Sequence, residues 1–252
     1  LIGEIPDAQR KMLIKQMKVG DRNTVQTLLQ YPEDSAGGIM TTAYISLSED
    51  MTVADGMAKI KQTAEKTEVI ETLYIVNVKH QLTGTCNLRQ ILTAPRNTLL
   101  KDIMNENVIS VHPEEDQEEV AKLVSRYDLN AIPVVNNRKS ILGIITVDDI
   151  IDVIVEEYNE DILEMAGVSK EESLTTSLGD SIRLRLPSLL INLATAFLAS
   201  LTLKAFEGTI AQVVALSSTM TIVSGMGGNA GTQTQSILVR QLAQDDISVS
   251  KY

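Results

Sequence analysis

The sequence is poor in cysteine, aromatic residues and positive charge. Its single cysteine, Cys86, excludes an internal disulfide, and we expect this thiol to be a small core side chain. The 22 Lys and Arg residues are outnumbered by 33 Asp and Glu, which gives a formal net charge of -11. Nucleic-acid binding requires basic side chains that face phosphates, so this charge disfavours nucleic acid and favours cations or basic partners.

Motifs for covalent chemistry are also missing. The sequence has no phosphate-binding GxxxxGK[ST] loop and no Ser/His/Asp or Cys/His arrangement, so we predict that the protein is not an enzyme. Two histidines and one cysteine do not favour a zinc site. The chain begins at Leu1 and its first residues lack the apolar core of a signal peptide, so we expect its start to be a truncation.

Charged residues are absent from two long stretches, 186–203 and 208–239. A membrane-spanning helix needs about 20 mostly apolar residues, which the segment 186–206 supplies. The second stretch follows after a short turn, so the pair predicts a helical hairpin through the bilayer. Arg183 and Arg185 precede the first span, which places the polar part of the chain on the cytoplasmic side by the positive-inside rule. The alternative is a soluble protein with an apolar C-terminal hairpin used for oligomerisation.

The polar part of the chain repeats itself with a period of 64 residues. Ile39-Met40 followed by YISLSEDMTVADGMAKI matches Ile103-Met104 followed by VISVHPEEDQEEVAKLV. Each copy continues into an apolar strand, a turn, a second strand and a helix, and Gly84 and Gly143 occupy equivalent turn positions. Because one copy cannot bury its apolar face alone, the two are expected to fold together.

The order strand, helix, strand, strand, helix, repeated twice, resembles a tandem pair of CBS (cystathionine-beta-synthase) domains. In the second copy, GIITVDD is similar to the signature of that family, in which Thr146 and Asp149 face the phosphate and ribose of a nucleotide. The first copy has asparagine and glutamine at these positions and keeps Arg89 as a phosphate partner. The resemblance implies adenine-nucleotide binding, and the alternative is that these residues only cap helices.

The segment 147–167, VDDIIDVIVEEYNEDILEMAG, is predicted to form an acidic helix. Its apolar stripe is expected to pack on the repeats and consists of Ile150, Ile151, Ile154, Val155 and Tyr158. The acids recur at helical spacing with no Lys or Arg among them, so they repel each other. Carboxylates are hard ligands suited to Mg²⁺ or Ca²⁺, so a bound divalent cation would offset the repulsion; the alternative is a solvated acidic face.

The full order of helical tail, CBS pair, acidic helix and membrane segment is similar to the MgtE family of magnesium transporters. Its strongest motif is GMGGNAGTQTQSILVRQLA at 225–243, which resembles the second membrane helix of that family. The resemblance implies a homodimer whose acidic cytoplasmic faces bind Mg²⁺ when the metal is abundant, which shuts the pore. The implied side-chain ligands are Asp116, Glu118, Asp128, Asp149, Asp152, Glu157, Glu160 and Asp161. Gly38 and Ser125 are implied as carbonyl ligands.

The membrane motif carries polar groups that hydrocarbon cannot satisfy, so they are expected to face protein or water. The predicted pore-lining residues are Gly225, Gly228, Asn229 and Thr232. There, backbone carbonyls and the Asn229 amide would bind the water shell of a hydrated Mg²⁺. The alternative is close helix packing by small residues. The resemblance implies five membrane helices, of which this sequence includes two, so we expect the chain to sense Mg²⁺ without conducting it.

These observations predict an α+β fold with an α-helical membrane segment. The expected parts are a helical remnant at 1–36, CBS domains at 37–99 and 100–152, an acidic connecting (plug) helix and linker at 153–182, and a partial transmembrane domain at 183–252. The predicted function is Mg²⁺ transport in the cell membrane by a multi-pass, Mg²⁺-gated homodimer whose N-terminal and CBS regions are cytoplasmic. The competing prediction is an adenine-nucleotide-sensing regulatory module of another membrane transporter.

Overall fold

The computed structural model describes residues 12–14, 17–169, 172 and 176–243. Parts of the predicted helical remnant and of the predicted membrane segment therefore lie outside the described residues. The chain divides into two compact units, Leu1–Val155 and Glu156–Tyr252, and we describe each unit by itself. The first unit opens with helices α1 (Val19–Leu28) and α2 (Ala36–Ile39).

The first repeat forms a three-stranded sheet with helices. Strand β1 pairs parallel with β2, and β2 pairs antiparallel with β3. The crossover helix begins at a capping box, in which the Thr52 hydroxyl accepts from Asp55 N at 3.2 Å. The elements are β1 (Ser46–Ser48), α3 (Val53–Thr63), a 3₁₀ turn (Ala64–Lys66), β2 (Thr72–Val76), β3 (Leu82–Asn87) and α4 (Leu88–Thr93).

The second repeat has the same plan with a shorter first strand. Val111 forms a single parallel bridge to Val134, and it lies 64 residues after Leu47, which pairs with Ile75 in the first repeat. The structure thus confirms the 64-residue spacing at the first strand, whereas the partner residues Ile75 and Val134 on the next strand are 59 residues apart. The elements are a 3₁₀ turn (Leu100–Asp102), α5 (Gln117–Arg126), β4 (Ala131–Val135), β5 (Ile141–Thr146) and α6 (Val147–Met165).

Each repeat is completed by the segment that precedes the other. Thr41 and Ile144 exchange two backbone hydrogen bonds of 2.8 Å, so the segment before the first repeat extends the sheet of the second. Asn105 and Thr85 make the reciprocal pair at 2.8 and 2.9 Å. The two hairpin turns also meet, where Gln81 bridges to Ser140. These exchanged contacts agree with the expectation that the two copies fold together.

Helix α6 joins the core of the second repeat through only one turn. Ile150 and Val153 are buried, at spacing i, i+3. The predicted packing of the full stripe on the repeats is therefore wrong beyond Ile150. The stripe residues that are exposed instead are Ile151 at 56%, Ile154 at 48%, Val155 at 54% and Tyr158 at 67%. The core contacts of α6 end at Val153: Ile154 shares the face of Ile150 at spacing i, i+4 and is exposed nevertheless.

The second unit contains three further helices, α7 (Leu178–Ala205), α8 (Glu207–Gln212) and α9 (Val214–Ala243). Helix α7 begins eight residues before the predicted span, because the Ser177 hydroxyl caps it by accepting from Asp180 N at 3.3 Å. Among the described residues, α7 is the one helix that is both long and apolar enough to cross a bilayer. Helix α9 has 30 residues but a more polar composition, so the second arm of the hairpin stays a prediction.

Candidate metal-sensing site

Helix α6 carries eight acidic side chains and no basic one over its 19 residues. The Thr146 hydroxyl donates to Asp149 Oδ2 at 2.6 Å, which fixes the first of the predicted ligands on the helix. The same hydroxyl, and then the backbone amide of Asp148, lower the pKa of the Asp148 carboxyl. The predicted ligands further along are an exposed Asp152 and the half-buried Glu157, Glu160 and Asp161.

The predicted ligands of the second repeat begin at helix α5. Asp116 caps this helix, and its Oδ1 accepts from Glu118 N at 2.8 Å. The Glu118 carboxylate lies 3.3 Å from Lys122 Nζ, which also contacts Glu119 at 2.9 Å. The hydrogen bond with Glu119 is the main cause that raises the pKa of Lys122. Glu118 is thus partly neutralised before any metal binds.

Three other predicted positions lie near the ends of short elements. Asp128 is exposed and has a left-handed backbone with φ of 51°, just after helix α5 ends. Ser125 is exposed on the last turn of α5. Gly38 is the third residue of α2, where an added Cβ would overlap the carbonyl oxygen of Pro32. Glycine is therefore required at this position by the close approach of backbone.

Helix α2 and the start of α5 are held side by side. Ala36 N donates to Glu115 O at 2.8 Å, and Gly37 N donates to Pro113 O at 2.9 Å. This pairing brings the predicted carbonyl ligand Gly38 to the same corner as Asp116. In the described part of the chain, however, no three His, Cys, Asp or Glu side chains converge on one point that would hold a metal.

The predicted nucleotide residues differ between the repeats. Thr146 is only 2% exposed and is engaged with Asp149. In the first repeat the equivalent Gln90 is fully used, because its Oε1 accepts from Asn87 N at 2.8 Å and its Nε2 donates to Ile103 O at 3.2 Å. Arg89 is exposed beside it. The capping role is thus realised in the first repeat by Asn87 and Gln90. In the second repeat Thr146 bonds to one carboxylate oxygen of Asp149, and the other oxygen takes no part in this bond.

The predicted pore residues all lie on α9. Gly225, Gly228, Asn229 and Thr232 are exposed, and a Cβ added at either glycine would meet open space. The Thr232 hydroxyl donates to the carbonyl oxygen of Gly228 at 3.1 Å. This bond satisfies the hydroxyl within the helix, as hydroxyl side chains commonly do in apolar surroundings.

Sequence reasoning missed an ion pair between the linker (residues 166–177) and helix α7. Arg185 Nε lies 2.8 Å from both carboxylate oxygens of Glu172, and one terminal nitrogen of Arg185 lies 2.6 Å from Oε1. The Ser181 hydroxyl donates to the same carboxylate. Arg185, and then Ser181, lower the pKa of Glu172. Glu172 and Arg185 are thirteen residues apart, a separation that no helical or strand period reveals.

Comparison with known proteins agrees with this architecture. Residues 100–156 match the family model described as "CBS domain". The magnesium transporter MgtE of Bacillus subtilis (strain 168) is 38% identical over 235 residues, which cover 93% of this chain and 52% of that protein. The chain is homologous to MgtE magnesium transporters at 35–38% identity over 90–93% of its length. It spans about half the length of the curated MgtE relatives that it matches.

Two solved structures also resemble the chain. The crystal structure of the soluble part of a magnesium transporter has 38% sequence identity and a TM-score of 0.61, covering 62% of this chain and 61% of that one. The cytosolic domain of the Mg²⁺ channel MgtE in complex with ATP has 38% identity and a TM-score of 0.57, covering 58% and 59%. The predicted family, the CBS pair and the mixed α and β fold are therefore confirmed, while the domain boundaries and individual ligands remain predictions.

Proposed function

We propose that this chain is the cytoplasmic Mg²⁺ sensor and the first membrane helices of a Mg²⁺ channel or transporter that closes when intracellular Mg²⁺ is abundant. The observation that carries the proposal is the composition of helix α6, which has eight acidic residues and no basic one. This helix is followed along the chain by α7, which is long and apolar enough to cross a bilayer. The family relationship supports the same function. Mg²⁺ is the ligand and the transported ion, and no covalent chemistry is involved.

The physics of the ion favours such a dispersed surface. Mg²⁺ keeps several of its waters and is commonly held by one or two carboxylates at a time. Two acidic faces that repel each other would therefore approach when Mg²⁺ lies between them, which requires a homodimer. Because the ions bind the closed arrangement better than the open one, they shift the population toward closure. The carbonyls of Gly38 and Ser125 would complete sites whose other ligands come from carboxylates.

Membrane placement follows from the same proposal. Helix α7 would cross the cell membrane with its N-terminal end at the cytoplasm, and α9 would return as the second span. In an intact transporter that carries this segment, Asn229 and its neighbouring glycines would bind the water shell of the ion. An Asn229→Leu variant is expected to lower Mg²⁺ flux, and unchanged flux would exclude this residue from the pathway.

Hydrogen exchange of the chain in lipid nanodiscs tests the sensor. Millimolar Mg²⁺ is expected to slow amide exchange across α6, because neutralising the carboxylates removes the repulsion that opens the helix. A double variant with Asp152→Asn and Asp161→Asn should lose most of this response. Glu114→Gln, which removes an exposed acid outside the predicted set, is the matched control and should respond like the wild type.

Sodium chloride at equal ionic strength separates ion bridging from general screening. Only a divalent ion can bridge two carboxylates, so sodium should leave α6 exchange almost unchanged. Exchange that is the same with Mg²⁺ and after chelation would contradict the proposed function.

A second function, adenine-nucleotide binding at the second repeat, is favoured by Thr146 and Asp149 and by the ATP complex of a related MgtE cytosolic domain. Asp149 would accept from the ribose, while Arg89 of the first repeat would face the phosphates. Calorimetry with ATP should detect binding in the wild type and a loss of at least tenfold in Asp149→Asn. Absence of heat at millimolar ATP would leave the Mg²⁺ sensor as the sole function of this unit.

A further inference from the structure

We propose that Glu172 is a positioning residue that clamps the linker to helix α7, so that the end of the acidic helix and the start of the first span move as one body. This inference rests on the proposed function for its consequence, but the clamp itself stands on contacts within the second unit. Two described points of the linker, Gly167 and Glu172, touch α7.

The first point is the turn that ends α6. Gly167 N donates to Glu164 O and Val168 N donates to Leu163 O, both at 2.9 Å, which is the Schellman arrangement. Gly167 has φ of +71°, a conformation that favours glycine. A Cβ added there would lie 2.7 Å from Ser188 Oγ. The end of α6 therefore lies directly against the third turn of α7, where the left-handed backbone favours glycine and a larger residue would require the Ser188 hydroxyl to rotate away.

The second point is the Glu172 carboxylate. Its side chain is only 7% exposed, whereas the side chain of Arg185 is 53% exposed. Two hydrogen bonds of 2.8 Å from Arg185 Nε, a contact of 2.6 Å from its terminal nitrogen and a bond from Ser181 surround it. Charge-assisted contacts of this kind are stronger and more directional than a single-point ion pair. Most isolated surface ion pairs contribute little, but this carboxylate has several donors in a sheltered position.

The two points fix a direction. Gly167 meets Ser188, and Glu172 meets Arg185 and Ser181, so the later contact lies nearer the N-terminus of α7. Ser181, Arg185 and Ser188 are spaced i, i+4, i+7 and share one face of the helix. This face spans about 10 Å at 1.5 Å per residue. The small serines leave room on it, and the arginine supplies its one charge.

The consequence concerns how a signal crosses the junction. A free linker of this length would absorb a displacement of α6 without moving α7, because a flexible chain changes its end-to-end distance easily. A linker held at two points transmits the displacement instead. Closure of the acidic faces would therefore reorient α7, and loss of the clamp would leave Mg²⁺ binding intact but uncoupled.

Distance measurements between spin labels test the clamp without Mg²⁺. Labels replace the exposed Glu164 on α6 and Leu193 on α7, in a Cys86→Ala background and in lipid nanodiscs. The wild-type clamp should give one narrow distance distribution, and Glu172→Gln or Arg185→Gln should broaden it at least twofold. Arg183→Gln is the matched control, because this exposed arginine lies on the same turn of α7 and forms no ion pair within the described residues.

Exchanging the two charges tests whether the ion pair itself, rather than any substitution at these two positions, keeps the distance distribution narrow. Combining Glu172→Arg with Arg185→Glu should restore a narrow distribution that each single change destroys. A broad wild-type distribution, or narrow distributions in both single variants, would overturn the proposal. The second measurement uses the unlabelled chain: the rate of amide hydrogen exchange at residues 178–185 is compared with and without Mg²⁺. A structural role alone would leave this ion response in place, whereas the clamp predicts its loss in Glu172→Gln while α6 is still protected.

The two readouts keep the inferences separate. If Mg²⁺ changes the amide exchange of α7 equally in Glu172→Gln and in the wild type, Glu172 has no positioning role. If α6 itself shows no Mg²⁺ response in the wild type, the proposed sensor function fails, and the clamp is decided by the label distances alone.

Discussion

At the scale of single residues, the hydroxyl of Tyr74 stands out. The side chain is fully buried where the two repeats meet, and its Oη has no hydrogen-bond partner among the described residues. Burial raises the pKa of this phenol. A buried hydroxyl without a partner loses its hydration and gains nothing in return. The aromatic ring of Tyr74 is what stabilises the fold here, since it packs edge-on against the ring of Tyr44 with the ring centroids 6.0 Å apart.

We therefore expect Tyr74→Phe to unfold at the same temperature as the wild type or higher. Removing the unpaired hydroxyl recovers a desolvation penalty of roughly 1 kcal/mol, while the packed ring stays. Thermal unfolding of the chain followed by circular dichroism measures the shift. Tyr44→Phe is the control: its hydroxyl donates to Ile141 O at 3.4 Å, so this variant should lose about 0.5 kcal/mol. A clear destabilisation of Tyr74→Phe would mean that an ordered water satisfies the hydroxyl.

We expect the buried thiol of Cys86 to make the free energy of unfolding depend on pH. Cys86 is 1% exposed, and burial raises its pKa from 9.0 to about 11. The unfolded chain therefore loses this proton first as the pH rises, so the free energy of unfolding is unaffected below pH 9 and falls between pH 9 and 11. The slope reaches at most about 1.4 kcal/mol per pH unit for one group. Chemical denaturation at several pH values should show this decline, and Cys86→Ala should flatten it.

At the scale of elements, sequence patterns predicted the repeat well. The 64-residue spacing at the first strand, the strands near 73 and 132, and the acidic helix from 147 are all confirmed. Local periodicity carries this information, because each pattern lies within one element. The exchange of segments at Thr41 and Asn105 was not predictable in the same way, since it pairs residues about 100 and 20 positions apart. The depth of burial of α6 likewise depends on tertiary contacts.

The equivalent glycines explain why the exchanged segments fit. An added Cβ at Gly84 would lie 2.6 Å from Met104 Sδ, and one at Gly143 would lie 2.6 Å from the carbonyl oxygen of Thr41. Each glycine thus admits the segment that precedes the opposite repeat. At both sites a methionine and a backbone carbonyl oppose the added atom, but the carbonyl oxygen of Thr41 lies 2.6 Å from it at Gly143, whereas that of Asn105 lies 3.0 Å from it at Gly84, so the rigid backbone must shift more at Gly143.

Gly143→Ala is therefore expected to destabilise the chain by about 2–3 kcal/mol, and Gly84→Ala by about 1 kcal/mol, as overpacking does. Denaturant unfolding gives both values. Gly56→Ala is the matched control within the first repeat: its nearest atoms are 3.5 Å away, so this change should be neutral or raise stability by about 0.5–1 kcal/mol through helix propensity. Equal effects at all three glycines would refute the role of the exchanged segments.

At the scale of the whole molecule, two properties could be predicted from composition. The excess of acid and the charge-free run near residue 190 lead directly to a cation-binding, membrane-associated protein. The individual ligands stay predictions, because no three acidic side chains converge among the described residues, and carboxylates such as Asp116 and Asp161 would need an opposing surface. The Glu172 clamp was also beyond sequence reasoning, since a single Glu among many acids carries no distinguishing pattern.

The apolar surface of α7 is expected to insert into lipid. The large apolar side chains of α7 between 186 and 203 are exposed within this chain, and none of the described residues of the span is buried. Burying such a surface in lipid is favourable by about 25 cal/mol for each Å² removed from water. The full chain should therefore float with phosphatidylcholine vesicles, whereas a chain ending at Ser169 should stay in the soluble fraction, since its apolar clusters lie inside the repeats.

Zwitterionic lipid is needed because the net charge of -11 would oppose binding to anionic vesicles. A full chain that remains soluble and monodisperse without lipid or detergent would instead support the oligomerisation hairpin and remove the membrane span from the proposed mechanism.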